Sequence, residues 1–176
     1  IQALPMWQWF TQTFDLQTSY VQGVFVSIES ELEAEQIKQG LKGLLTHNAV
    51  LRLAYQEGEY HILDAAHVTG DLSNYFDMIE VDDLLHSSLD DIFNQRSQGL
   101  SLAQNSLFKL LLLKDKKGHQ GLMVLAHHVL IDGVSWRVLL PQLRALVWHQ
   151  SADLVLEETG INTWSQALYE QVPIRR

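Results

Sequence analysis

Two apolar runs dominate the second half of the chain, Leu107 to Leu113 and Gly121 to Ala126. They flank the polar stretch Lys114 to Gln120, so they predict a hairpin whose strands are buried on both faces. Upstream, Tyr20 to Glu29 alternates, and Gln22, Val24, Val26 and Ile28 form its mostly apolar set, as a half-buried strand requires. Val50 to Tyr55 and Tyr60 to Leu63 flank Gln56-Glu57-Gly58-Glu59 and predict a second hairpin. Glu33 to Leu45 carries Ile37, Leu41, Leu44 and Leu45 at helical spacing, with Ser30 a candidate cap. Asp82 to Arg96 repeats Leu85, Leu89, Ile92 and Phe93, an amphipathic helix with a solvated acidic face. After Gly133 the residues Val134, Val138, Leu139, Leu143, Leu146 and Val147 recur every three or four positions, with Pro141 expected to kink or restart that helix. Ser151 to Gly160 reads as a surface connection and Ile161 to Val172 as a short terminal helix. The alternation predicts one α/β lobe with a mixed sheet and helices packed mainly on one side.

Composition fits that picture. A chain of 176 residues buries roughly 70% of its unfolded surface, enough to stand without staples. Its hydrophobic share of 47% and five tryptophans supply a core, and the absence of cysteine removes disulfide and thiol chemistry. No apolar run is long enough to span a bilayer, and the first residues lack a basic signal pattern. A formal charge of −9 disfavours nucleic acid and acidic membrane surfaces as partners.

Chemistry concentrates in Ala126-His127-His128-Val129-Leu130-Ile131-Asp132-Gly133-Val134-Ser135-Trp136. A strand ends at a paired histidine, turns, and feeds a helix, a place where a rigid scaffold can hold a general base. Successive side chains of a strand point to opposite faces, so His127 and His128 are expected to do different jobs. Gly133 suits positive φ or the close approach of a ligand. The divergent histidines make a poor metal pair, and no metal-binding motif exists elsewhere, so no metal is expected. Ser135 lacks the glycine spacing of a nucleophile elbow and is better suited to capping the next helix.

These residues resemble a known family. His127-His128-Val-Leu-Ile-Asp132-Gly133 looks like the HHxxxDG signature of the condensation superfamily of nonribosomal peptide synthetases. The continuation Val134-Ser135-Trp136-Arg137-Val138-Leu139 is closer to the epimerization branch. Leu4-Pro5-Met6-Trp7-Gln8-Trp9-Phe10 is similar to that branch's P-I-Q-x-W-F opening, with Trp7 where glutamine is usual. His47-Asn48-Ala49-Val50-Leu51-Arg52 resembles its H-x-x-LR segment, and Asn162 to Leu168 its T-S-F-x-x-W-A stretch. Asn105-Ser106-Leu107 stands where the family has Gly-Pro-Leu.

The resemblance implies a chloramphenicol-acetyltransferase-like lobe covering residues 1–176, the first of two in the family. The second lobe, with its catalytic glutamate, is expected to be absent from this chain. It also implies inversion of the α-carbon of an aminoacyl or peptidyl thioester carried on the 4'-phosphopantetheine of a peptidyl carrier protein, in the cytoplasm. His128 is then the catalytic base and His127 a structural partner of the loop. Asp132 is expected to pair with Arg52 and brace the loop, a buried pair whose rupture would cost about 3–5 kcal/mol. Gly133 would let the backbone pass the pantetheine arm, and Ser135 and Trp136 are substrate-channel candidates, Trp136 more simply a packing residue. Lys114, Lys116 and Lys117 offer a basic patch to an acidic carrier, or more simply a solvated hairpin tip. Three alternatives stand beside epimerization: a condensation lobe using the same histidine, a non-catalytic docking module, and a single-lobe acyltransferase complete only as an oligomer. An isolated lobe is expected to be inactive.

Overall fold

The computed structural model describes residues 3–148. In chain order these form α1 (Pro5–Thr13), β1 (Val21–Ile28), α2 (Ala34–His47), a 3-10 turn (Ala49–Arg52), β2 (Leu53–Gln56) and β3 (Glu59–Ile62). They continue as α3 (Ala65–Gly70), β4 (Phe76–Val81), α4 (Leu89–Ser97), β5 (Phe108–Asp115), β6 (Gln120–His127) and α5 (Ser135–Trp148). The predicted connection over 151–160, the terminal helix and the Asn162–Leu168 stretch lie outside the described residues.

One mixed sheet in the order β1-β6-β5-β4 organises the lobe, with β4 parallel to β5 and the other pairs antiparallel. The continuous apolar runs of β5 and β6 follow from burial on both faces. Leu110, Leu112, Leu122 and Val124 face the larger core with Trp7 and Phe10 of α1, Ile37 and Leu41 of α2, and Leu139 and Leu143 of α5. Leu111, Leu113, Met123 and Leu125 face a smaller core capped by Ile92 and Phe93 of α4. Most helices therefore lie on one side of the sheet, as expected.

Local chemistry sets several boundaries. The β2–β3 hairpin closes on Glu57 (φ 52°) and Gly58 (φ 82°), two residues in the left-handed region as a tight hairpin turn demands. The helix predicted from Asp82 begins only at Leu89, where Ser88 accepts the Asp91 N–H. Before it, Asp83 folds its own turn by accepting from Leu85 N–H and from the Ser87 hydroxyl. Asp115 ties this turn to the β5–β6 hairpin, accepting from Leu84 N–H at 3.0 Å, Lys117 N–H at 2.9 Å and His119 Nδ1 at 2.8 Å. Burial alone would raise its carboxyl, but these donors outweigh it and hold Asp115 below the ordinary carboxylate range. Ser30 does not cap α2; Glu33 takes that position without a side-chain bond. Pro141 lies inside α5 without ending it.

Gly40 marks the closest approach of α2 to α5. A Cβ there would stand 2.6 Å from Val147 Cγ2 and 3.1 Å from the Val147 backbone. Glycine in a helix interior normally costs about 1 kcal/mol against alanine, yet overpacking costs about 1–3 kcal/mol. The crowding involves backbone and should win. Gly40→Ala is expected to lower stability by about 1–2 kcal/mol in urea unfolding, and a gain would show that α5 yields freely.

Candidate functional site around the histidine pair

β6 is an inner strand, and its last residue is His127. His128 follows as the first residue of a turn that runs to Leu130. His127 is fully buried, with its ring edge-on to Phe10 at 5.0 Å. Its Nε2 lies 3.0 Å from the Thr18 carbonyl, and its Nδ1 accepts the Val129 N–H at 3.3 Å. A carbonyl only accepts, so Nε2 carries the proton and the neutral tautomer is set. The Tyr20 N–H also lies 3.4 Å from Nε2, but a protonated nitrogen cannot accept it, and the shorter carbonyl contact prevails.

Burial pushes the His127 imidazolium down, outweighing the Thr18 bond that would favour it, and the neighbouring His128 adds to the depression. The unfolded chain binds this proton near the ordinary value of 6.5, whereas the folded chain does not. The contribution of His127 to stability is therefore complete above pH 6.5 and falls as the pH drops below it. In paired unfolding curves at pH 7.5 and 5.5, His127→Asn should lose less stability on acidification than the parent. An equal loss would contradict the burial account.

His128 is half-buried and sits in a cross-strand position facing Tyr20. Its N–H donates to the Tyr20 carbonyl at 2.7 Å, and the two rings meet edge-on at 4.9 Å. Its Nδ1 is enclosed with no hydrogen-bond partner among the described residues. Tyr20 itself is exposed, as are Trp9 and Phe14, whose rings pack edge to face at 5.4 Å.

Asp132 does not pair with Arg52. Its Oδ1 accepts from Val134 N–H at 3.1 Å, Ser135 N–H at 2.8 Å and the Ser135 hydroxyl at 2.8 Å, so the aspartate caps α5 and Ser135 answers it. The Ser135 bonds hold the Asp132 carboxyl below its ordinary value. Arg52 instead donates Nε to the Leu45 carbonyl at 2.9 Å and Nη1 to the Leu63 carbonyl, joining the end of α2 to the exit of β3. The expected buried pair gives way to an exposed cap because three donors lie within three residues of Asp132. Asp132→Ala should accordingly cost about 1 kcal/mol, the worth of a helix cap, and not the larger penalty of a broken buried pair. A loss beyond about 3 kcal/mol in thermal or urea unfolding would bring the buried pair back.

Gly133 departs from the first of its two expectations, positive φ. It is absent from the glycines with positive φ, and a Cβ built on it meets nothing within 4 Å. Trp136, on the first turn of α5, donates its indole N–H to Gln22 Oε1 on β1 at 3.0 Å. A pocket of about 350 Å³ opens on the other flank of the loop, lined by Asn48, Leu51, Ile131, Asp132, Ser135 and Val138. Lys117 and Lys116 of the hairpin tip meet Asp83 and Asp82 of the turn after β4 at 2.6 and 3.9 Å, so these acids offset part of the basic cluster. Among the described residues no group of three or more His, Cys, Asp or Glu is placed to hold a metal, and no helix is long and apolar enough to cross a membrane.

Two residues of this neighbourhood escaped the sequence reading. Gln22 occupies the core-facing register of β1 among Val24, Val26 and Ile28, and a lone amide in an apolar set is itself a signal. Trp7 is fully buried and donates its indole N–H to the Val129 carbonyl at 2.7 Å, bolting α1 to the histidine turn.

Comparison with known proteins bears on the whole lobe. The family model described as "Condensation domain" matches residues 2–166. Over 99% of its length the chain is 36% identical to vanchrobactin synthetase VabF of Vibrio anguillarum, of which it spans 6%. It is 26% identical over 77% of its length to surfactin synthase subunit 2 of Bacillus subtilis strain 168, spanning 4% of that protein. Among solved structures, the epimerization domain from the third module of tyrocidine synthetase B matches 97% of the chain with a TM-score of 0.74 at 22% identity, and the chain covers 40% of it. A starter condensation domain of the rhizomide synthetase matches with a TM-score of 0.67 at 18% identity, and the chain covers 44% of it. Both likenesses establish the fold.

Proposed function

The chain belongs to the condensation-domain family, and from that premise we propose that it is the first lobe of an epimerization domain in a nonribosomal peptide synthetase. Its substrate is an aminoacyl or peptidyl thioester on the 4'-phosphopantetheine arm of a peptidyl carrier protein. The observation that carries this proposal is the run from His127 to Arg137, which ends β6, caps α5 through Asp132 and joins Trp136 to the edge strand through Gln22. His128 is the half-buried imidazole at that junction, while His127 is locked neutral by backbone.

A thioester acidifies its α-hydrogen, and a base on one face with an acid on the other inverts the carbon. His128 supplies one of these groups. The other comes from the second lobe, against which the exposed Tyr20, Trp9 and Phe14 are placed to pack. Ser135 is engaged with Asp132 and Trp136 with Gln22, so both shape the channel wall without touching the reacting carbon. Gly133, free of structural demands, leaves room for the arm.

The test offers an L-aminoacyl thioester on its carrier domain to the complete two-lobed protein. Recovery of the D-amino acid after thioester cleavage supports epimerization. Amide formation with a second loaded carrier, without inversion, would move the chain to the condensation branch. Neither product would leave a docking lobe.

A further inference from the structure

We propose that Gln22 donates the hydrogen bond that receives the developing enolate oxygen beside His128, an inference that rests on the epimerization reading. Three observations lead there. An indole N–H is only a donor, so the Gln22 atom 3.0 Å from Trp136 Nε1 is the carbonyl oxygen, and the orientation of the amide is decided by its partner. The Gln22 NH2 group then points away from that bond, and among the described residues it has no hydrogen-bond partner. The enclosed unpaired side-chain atoms of the described residues are those of Ser97, Ser106 and His128, so the Gln22 amide nitrogen is reachable and its two N–H groups can turn to a ligand.

Register supplies the second observation. Val21 faces His127 and Gln22 faces Ala126, which puts Tyr20 opposite His128 and Gln22 on the diagonal from it. The His128 N–H bond to the Tyr20 carbonyl continues that pairing one step past both strands, the two rings meet there, and Gln22 turns to the side that α5 covers, where it meets Trp136. Diagonal neighbours stand about 7–8 Å apart, within reach of long side chains and wide enough to take a thioester carbonyl between them. The third observation is position: β1 is an edge strand, and Gln22 is the one polar side chain in its inward set of Gln22, Val24, Val26 and Ile28.

The step balances without a co-reactant. His128 takes the α-proton, the C–H electron pair moves into a carbon–carbon double bond, and the carbonyl π pair settles on oxygen, where the Gln22 N–H receives it. The acid of the second lobe returns a proton to the α-carbon from the opposite face as the carbonyl re-forms, His128 passes its proton to water, and water restores the proton of that acid. The clasp to Trp136 fixes the amide before the charge forms, which is the condition for an effective oxyanion donor.

The experiment follows deuterium entering the α-position of a carrier-bound aminoacyl thioester in deuterated solvent, using the complete protein. Gln22→Glu keeps an acceptor for Trp136 but removes the donor, and Gln22→Met removes both at nearly the same length. Each should lower the exchange rate by about 10²–10³-fold, the usual loss for one such donor, with KM little changed because the bond strengthens only as charge develops. Trp136→Phe leaves the donor but frees it, and a loss of about 3–10-fold is expected, the worth of one neutral hydrogen bond. Exchange within threefold of the parent in either Gln22 variant, while His128→Ala abolishes it, would overturn the role of Gln22 and leave the epimerization reading standing. No exchange by the parent protein would remove both.

Discussion

His128→Ala is expected to slow exchange of the substrate α-hydrogen by about 10²–10⁴-fold in the complete protein, the usual contribution of a positioned base. Geometry separates it from its neighbour. His127 has both ring nitrogens engaged with backbone, at Thr18 and Val129, so it cannot take a proton without breaking a buried contact. Among the described residues the His128 ring meets the Tyr20 ring edge-on, and its enclosed Nδ1 has no hydrogen-bond partner. His127→Asn should therefore reduce stability more than rate, and His128→Ala the reverse. In the 176-residue chain by itself neither variant is expected to change exchange, because removal and return of a proton on opposite faces need two groups. The described residues place a single free imidazole at the junction. Without a covering lobe, water also reaches the site and weakens electrostatic stabilisation of an enolate. Exchange that depends on His128 in this chain alone would refute the half-site reading and favour a self-sufficient or oligomeric enzyme.

Much of the lobe was legible where burial is strong. The β5–β6 hairpin announced itself through unbroken apolar runs, and β1 and α5 through clean periods of two and between three and four. Weakly buried elements left fainter marks. β4 is a six-residue edge strand with an acid on each face, Asp77 and Glu80, so no alternation stood out. α1 is signalled only by Pro5 at its start and by Trp7 and Phe10 three residues apart, with the exposed Met6 and Trp9 blurring the apolar face between them. At the site, the strand-end position of the histidines followed from pattern, whereas the partner of Asp132 did not. A carboxylate beside a helix start has several local N–H groups to satisfy, and these outcompete an arginine that has backbone carbonyls of its own to hold. The same local competition made Asp132 the cap in place of Ser135. Gln22 was readable in principle as the odd amide in an apolar set, but its partner, Trp136, lies 114 residues away.

Trp7→Ala should be the most damaging single change in stability, at about 3–5 kcal/mol, the range for deleting a large buried aromatic. Three separate losses combine there. The indole is fully buried in the main core and stacks at 4.9 Å on Tyr60, whose hydroxyl donates to the Trp7 carbonyl at 3.0 Å. Its N–H satisfies the Val129 carbonyl at 2.7 Å in the turn that carries His128, and that acceptor is enclosed once the turn is packed. Leaving it unpaired adds about 1–3 kcal/mol to the cost of the cavity. Trp7→Phe separates the two parts, since it keeps most of the ring volume and removes only the donor. It should cost about 1–3 kcal/mol in stability and, through the loosened turn, lower α-hydrogen exchange further than an equally destabilising change at Gly40, which lies across the core between α2 and α5. Equal rates for Trp7→Phe and Gly40→Ala at matched stability would make Trp7 a core residue only. A lower rate for Trp7→Phe would identify α1 as the brace that holds the histidine turn in register, and would give a physical reason for a tryptophan where the epimerization opening it resembles usually has glutamine: an amide could donate to the Val129 carbonyl, but only the indole also fills the core volume beside Tyr60.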